Sequence, residues 1–179
     1  MSKEKLPDLQ SLKDQLHVLT QENEALAERA EDSLLLGLIS EKISNLQTKS
    51  DVLSGCLEQI SILKDIHYCS CGKLSGCKIE ELETYASFSD SKGIGYPMEI
   101  SSEKLAELQY GPVLIQDIKN LKCNFAGVEF QPECAALIPF KTQNKEKWVF
   151  LFLDGEKNNG RLAPMLMLLN HVVELVTAK

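Results

Sequence analysis

The sequence predicts an α+β fold led by a parallel coiled-coil helix. Three observations carry this: a leucine ladder in the first thirty residues, paired segments of period-two hydrophobicity further on, and apolar helical stripes near both ends of the chain. Leu9, Leu12, Leu16, Leu19, Asn23, Leu26 and Ala30 fall at alternating steps of three and four. This is the a/d pattern of a coiled coil, with Leu12, Leu19 and Leu26 at d and Leu16 and Asn23 at a. A lone helix cannot bury such a stripe in water, so the pattern predicts a homodimer. A single Asn at an a position gives up stability to fix register and favours two parallel strands. Residues 1–33 are therefore expected to form a dimerisation helix and residues 34–179 a folded domain. The alternative is one amphipathic helix folded back on its own domain.

The remaining elements follow in order. A second helix carries Leu35, Leu38, Ile39, Ile43 and Leu46 on one face. Thr48-Lys49-Ser50-Asp51 reads as a capping box that opens a third helix, striped by Val52, Leu53, Cys56, Leu57, Ile60 and Leu63. The period then drops to two. Ile66–Leu74 and Ile79–Phe88 are expected strands about a turn at Leu74-Ser75-Gly76-Cys77. Asp90–Gly95 reads as loop, and Ser101 opens a short helix that reaches Tyr110 and stops at Gly111-Pro112. Val113–Ile118 is a short strand, and Lys119–Glu133 a long loop. Cys134–Lys141 and Lys147–Asp154 form a second hairpin across Thr142–Glu146. The closing helix, from Gly160 to Ala178, repeats heptad spacing at Leu162, Leu166, Leu169, Val173 and Val176. Met165, Met167, Leu168 and Val172 make it apolar nearly all round, so two partners are expected for it, the sheet and a mate's helix. Hairpins make antiparallel pairs, and helices from the two chain ends can cover one sheet face together.

Composition narrows the function. A net charge of −7 on 179 residues argues against a nucleic-acid groove. No apolar run reaches the ~18 residues of a membrane span, and Met-Ser-Lys-Glu-Lys is followed by polar helix, not by a signal-peptide core. A cytoplasmic protein is expected, whose six cysteines serve as thiols or ligands, not disulfides.

The order of elements, together with several strings, resembles the GAF domain, a small-molecule sensor module. The resemblance covers about residues 34–177. It rests on Ser50-Asp51-Val52-Leu53, a hairpin through Tyr68 and Leu82, Leu108-Gln109-Tyr110-Gly111-Pro112-Val113 with Asp117 close behind, Ala135-Ala136-Leu137-Ile138-Pro139-Phe140, and Trp148-Val149-Phe150-Leu151-Phe152-Leu153. The Gly usual before the last of these strands is replaced by Lys147-Trp148. The resemblance implies an antiparallel sheet of five or six strands with helices on one face. It also implies a pocket on the other face, roofed by the short helix and the long loop. Tyr68, Asp90, Tyr96, Glu99, Asp117, Phe125 and Glu129, with Lys92, are the ligand contacts this implies at the roof and mouth. The ligand is an unidentified small molecule.

His67, Cys69 and Cys71 alternate along the first expected strand, with Cys77 past the turn, and thiolate with imidazole is what a metal centre uses. Same-face positions lie about 6.6 Å apart, so such ligands converge only through rotamers or a bulge, and Cys123 or Cys134 would join from across the pocket. Core packing of small apolar thiols is the alternative, and no cofactor is assigned. Specialised GAF types fit poorly. Phe125 and Glu129 echo the cyclic-nucleotide pattern, but Phe130 replaces its second acid. No bilin-attachment Cys setting occurs. Cys123 sits where free methionine-(R)-sulfoxide reductases carry a pocket cysteine, but no cysteine stands between Ser89 and Tyr110. The expected function is therefore not enzymatic. It is a dimeric regulatory module that senses a small ligand or metal and relays it through flanking helices to an output domain, such as a kinase or cyclase. A ligand-free scaffold and a thiol enzyme are the alternatives.

Overall fold

The computed structural model of the protein describes residues 9–46, 48–86, 95–124, 131–142, 144–155 and 162–177. The chain divides into two compact units, Met1–Gly37 and Leu38–Lys179. Helix α1 (Leu9–Ser44) supplies the described part of the first unit and continues into the second. The sequence predicted two helices with a break near Ser33. No Pro interrupts Ser33–Ser44, and the one Gly there, Gly37, costs a helix only about 1 kcal/mol. Within the first unit the ladder is open to solvent: Leu9, Leu12, Leu16, Leu19 and Leu26 are 48–71% exposed.

In the second unit, α2 (Lys49–Lys64) begins as expected. The Thr48 hydroxyl accepts a hydrogen bond from the Asp51 amide at 3.1 Å and donates one to its carboxylate. The helix ends at Asp65 in the left-handed region, and the Ile66 amide returns to the Ser61 carbonyl at 3.2 Å. The buried Ser61 hydroxyl closes the same turn on the Ile66 carbonyl at 2.7 Å. The last turns of α1 lie close beside α2 at Gly55, where Lys42 pairs with Glu58.

Seven strands of the described residues make one sheet in the order β4-β6-β7-β1-β2-β3-β5. They are β1 (Tyr68–Ser75), β2 (Lys78–Ala86), β3 (Gly95–Ile100), β4 (Val113–Ile115), β5 (Leu121–Asn124), β6 (Cys134–Lys141) and β7 (Lys147–Asp154). Every neighbouring pair is antiparallel. The sheet is thus larger than the five or six strands expected. β3 and β5 are the additions: β3 falls on Tyr96–Ile100, which the sequence reading left unassigned after the loop ending at Gly95, and β5 on the stretch Lys119–Glu133 that reads as loop. β3 pairs with β2 only at Lys78↔Glu99 and Ile79↔Met98.

Alternation sorts the side chains of the central strands into two layers. Cys69, Cys71, Ala136, Ile138, Phe150 and Phe152 face α2 and α4 (Leu162–Thr177), which touch each other on that side. Phe150 and Phe152 stack there with centroids 6.2 Å apart. On the other face, Tyr68, Ile79, Met98, Ala135, Leu137, Val149, Leu151 and Leu153 join Leu108 of α3 (Ser102–Leu108) in one buried apolar cluster. The heptad ladder of α4 is a core stripe. Leu162, Leu169, Val173 and Val176 are buried inside the unit, and the outward positions are Ala163, Pro164, Met167, His171 and Glu174. Leu166, on the same ladder, is half-buried.

The β1–β2 turn needs Gly76, whose φ of +63° at the first of two central positions suits a type II′ hairpin. Gly72 answers a different need. A Cβ there would stand 2.4 Å from the Glu80 carbonyl oxygen and 2.8 Å from an Ile79 methyl. Gly72→Ala is therefore expected to destabilise the chain by about 1–3 kcal/mol or more in urea unfolding. Gly55→Ala, which meets only the flexible ends of Leu46 and Lys42, is expected to cost far less.

Candidate functional site

The cluster beneath α3 fixes where a ligand can and cannot sit. Its side chains fill the middle of that sheet face, with Tyr68 buried among them. The face opens at the end nearest the β1–β2 and β6–β7 turns. There the C-terminal end of α3 passes over the sheet and leaves a cleft of about 680 Å³. Leu74, Leu105, Leu108 and Pro139 form apolar walls, and Gln109 and Tyr110 stand at the rim with Lys141 and Lys147. Ser101 builds the roof by capping α3, its hydroxyl accepting from the Lys104 amide at 3.4 Å. Tyr110 is 93% exposed.

Charge around the cleft is unevenly matched. Glu146, in the β6–β7 turn, accepts from the Lys73 ammonium at 2.7 Å and from the Trp148 indole N–H at 3.3 Å. The hydrogen bond to Lys73 and the carboxylate charge raise the Lys73 pKa above its ordinary value. Glu107 is held by Lys104 at 2.8 Å. Lys141 and Lys147 face each other directly across the β6–β7 ladder, and neither pairs with a described carboxylate. An apolar hollow with two ammonium groups at its lip can receive a small molecule that is apolar at one end and negative at the other. Sequence reasoning passed over Lys141, Lys147 and Tyr110. The signal available was a lysine at each end of the turn Thr142–Glu146, in mirror positions of two strands.

Among the described residues, those that the sequence put forward do not converge. Tyr68 lies in the core cluster. Glu99 alternates with Met98 and Ile100, so it points to the opposite face, where Lys78 approaches it at 3.5 Å. Asp117 caps the 3-10 turn Ile118–Asn120 by accepting from the Lys119 amide at 3.0 Å. Asp90, Lys92, Phe125 and Glu129, and the side chain of Tyr96, lie outside the described residues.

The proposed metal group is spread along β1. Cys69 and Cys71 are buried against the helical layer, while Cys77 is exposed in the turn at the strand's far end. His67 is half-buried with Nδ1 3.6 Å from Asp154 Oδ1. Among the described residues, no three of His, Cys, Asp and Glu gather closely enough to hold a metal ion. Cys134 is buried with its Sγ 3.6 Å from the Asp154 carbonyl oxygen, and Cys123 is half-buried against the apolar cluster. Burial raises the Cys56 thiol to about pKa 12 and the Cys69 thiol well above its ordinary value, with Cys56 adding to the second shift. Both remain protonated at neutral pH, and a protonated thiol is neither a good nucleophile nor a metal ligand.

No family model and no curated protein sequence matches the chain. Solved structures do match its shape. The nlh2 GAF domain of A. Aeolicus in an inactive state shares 14% identity at TM-score 0.57, over 84% of this chain and 95% of that one. A putative GAF sensor protein from Burkholderia vietnamiensis shares 6% at TM-score 0.63, over 83% and 87%. A free methionine-R-sulfoxide reductase from Neisseria meningitidis, in complex with its substrate, shares 8% at TM-score 0.60, over 80% and 84%. At such identities the likeness speaks for fold alone. The fold is GAF-like, as the strings in the sequence implied.

The raised thiols of Cys56 and Cys69 set an alkaline limit on stability. Their folded pKa values stand above the 9.0 of an ordinary thiol. Below that value folded and unfolded chains are both protonated and stability is unaffected. As pH rises beyond it, only the unfolded chain releases the protons, so stability falls towards the raised folded values. The urea midpoint is expected to hold to about pH 8.5 and to decline above pH 9, with a shallower decline in Cys56→Ala.

Proposed function

We propose that the chain is a regulatory sensor module, cytoplasmic and dimeric, with a GAF-like domain on a parallel two-helix stalk. It takes a small ligand on the α3 side of the sheet and passes the change along its flanking helices to an output domain, such as a kinase or cyclase. One observation carries the reading: the leucines of α1 at heptad positions are open to water along the whole ladder. Each leucine withdrawn into a paired seam contributes on the order of 1–2 kcal/mol. Association costs about 4–15 kcal/mol, so a seam this short suits a reversible dimer. Asn23 favours the parallel arrangement, with its partner Asn bonded across the seam. The structural likeness to GAF sensor domains supports the regulatory role. A ligand then acts by its different affinities for the two arrangements of the stalk.

Two other readings draw on specific observations. The filled apolar cluster under α3 suits a scaffold that binds nothing at mid-sheet. The likeness to free methionine sulfoxide reductases suits a thiol enzyme, for which thiol-dependent turnover of free methionine-R-sulfoxide is the assay; the sensor reading expects none. The stalk itself is tested by sedimentation equilibrium of the full chain. A dimer is expected at tens of micromolar, and Leu12→Lys with Leu19→Lys should give monomers that keep the wild-type near-ultraviolet dichroism. A wild-type chain that sediments as one subunit at high micromolar concentration would contradict the reading.

A further inference from the structure

We infer that the cleft at the turn end of the sheet is a binding site for a small organic anion, a carboxylate with an apolar body. This deepens the reading of the chain as a ligand-binding regulatory module and rests on it. The position of the lysines is the first ground. Alternation along β6 and β7 puts Lys141 and Lys147 on the same sheet face as Pro139 and Val149, at the lip of the cleft. They are direct cross-strand partners. Like charges placed so repel, and a β-ladder is stabler without them. The nearest carboxylate in the turn does not relieve the repulsion, because Glu146 is taken by Lys73 and the Trp148 indole. A bound anion would relieve it.

The walls supply the second ground. Leu74, Leu105 and Pro139 give an apolar lining, and Tyr110 leaves an almost fully exposed aromatic ring beside it. An inorganic anion would use the ammonium groups and leave these walls wet. A neutral apolar molecule would use the walls and leave the lysines facing each other. Only an amphipathic anion uses both. A cleft of about 680 Å³ is the size of a small-molecule site.

Trp148 is the only tryptophan and its strand position borders the cleft, so its emission is followed beside a direct measure of binding. The full chain is titrated with octanoate, octan-1-ol and inorganic phosphate, following Trp148 emission and, independently, equilibrium dialysis. Octanoate is expected to bind saturably at one molecule per chain, and more weakly as salt rises. Octanol, which gives up a charge-assisted hydrogen bond, and phosphate, which gives up burial of the apolar body, should each bind at least about tenfold more weakly. Lys141→Gln with Lys147→Gln should cost octanoate binding at least about tenfold, with an unchanged or higher melting temperature, since the repulsion is gone. Octanol or phosphate binding as tightly as octanoate overturns the assignment. So does undiminished binding in the double variant, or no octanoate bound by dialysis at millimolar concentration. Sedimentation of the same samples separates the two readings. A dimer that takes no octanoate refutes the anion site and leaves the module standing; a monomer that binds octanoate refutes the stalk and leaves the site.

Discussion

The centre of the sheet is dry on both faces, and the rest of the domain is arranged by that. Through the first five residues of β1 and β6 and the last seven of β7 every residue is buried, odd and even positions alike. One set must be covered by helices, which draws α2 and α4 together on one side. The other set must be covered by apolar neighbours from β2, β3, β4 and α3. A one-residue slip of any central strand would exchange the two sets. Aromatic rings stacked on the helical side and the leucines beside Ala135 on the other would then be misplaced together.

Chemistry follows from this filling. With the middle of β6, β7 and β1 occupied by apolar side chains and the small Ser70, charged groups on these strands are left to their ends. At one end the buried Asp154 carboxylate and His67 approach across the start of β1 and the finish of β7. At the other, two lysines and an exposed tyrosine rim a hollow with apolar walls. Burial beneath the sheet also raises the thiols of Cys56 on α2 and Cys69 on β1, which keeps both protonated at neutral pH.

What is legible in the sequence is what local periodicity controls. The continuous apolar runs of Cys134–Lys141 and Lys147–Asp154 predict both strands at their observed bounds, and the Thr48 cap is readable from its residue types. β3 and β5 are not, since β3 carries Pro97 and pairs with β2 at only two positions; pairing with distant neighbours, not local pattern, makes them strands. The α4 ladder looks two-sided in the sequence because spacing alone cannot say which stripe meets the domain. Tyr68, expected as a ligand contact, sits in the core for the same reason: its strand position is plain, but the cover over it comes from residues far along the chain. The cleft joins α3, one hairpin turn and the ends of another, and no sequence window contains it.

If the central strands are sealed on both faces, their amides can exchange with solvent only when the domain unfolds. Native-state hydrogen exchange at Ser70, Leu137 and Leu151 measures this directly. All three are expected to exchange with the free energy of global unfolding and to share its dependence on denaturant. Exchange at Leu137 or Leu151 through a local opening of much lower free energy, insensitive to denaturant, would mean that water reaches the face beneath α3 and would contradict the sealed sheet.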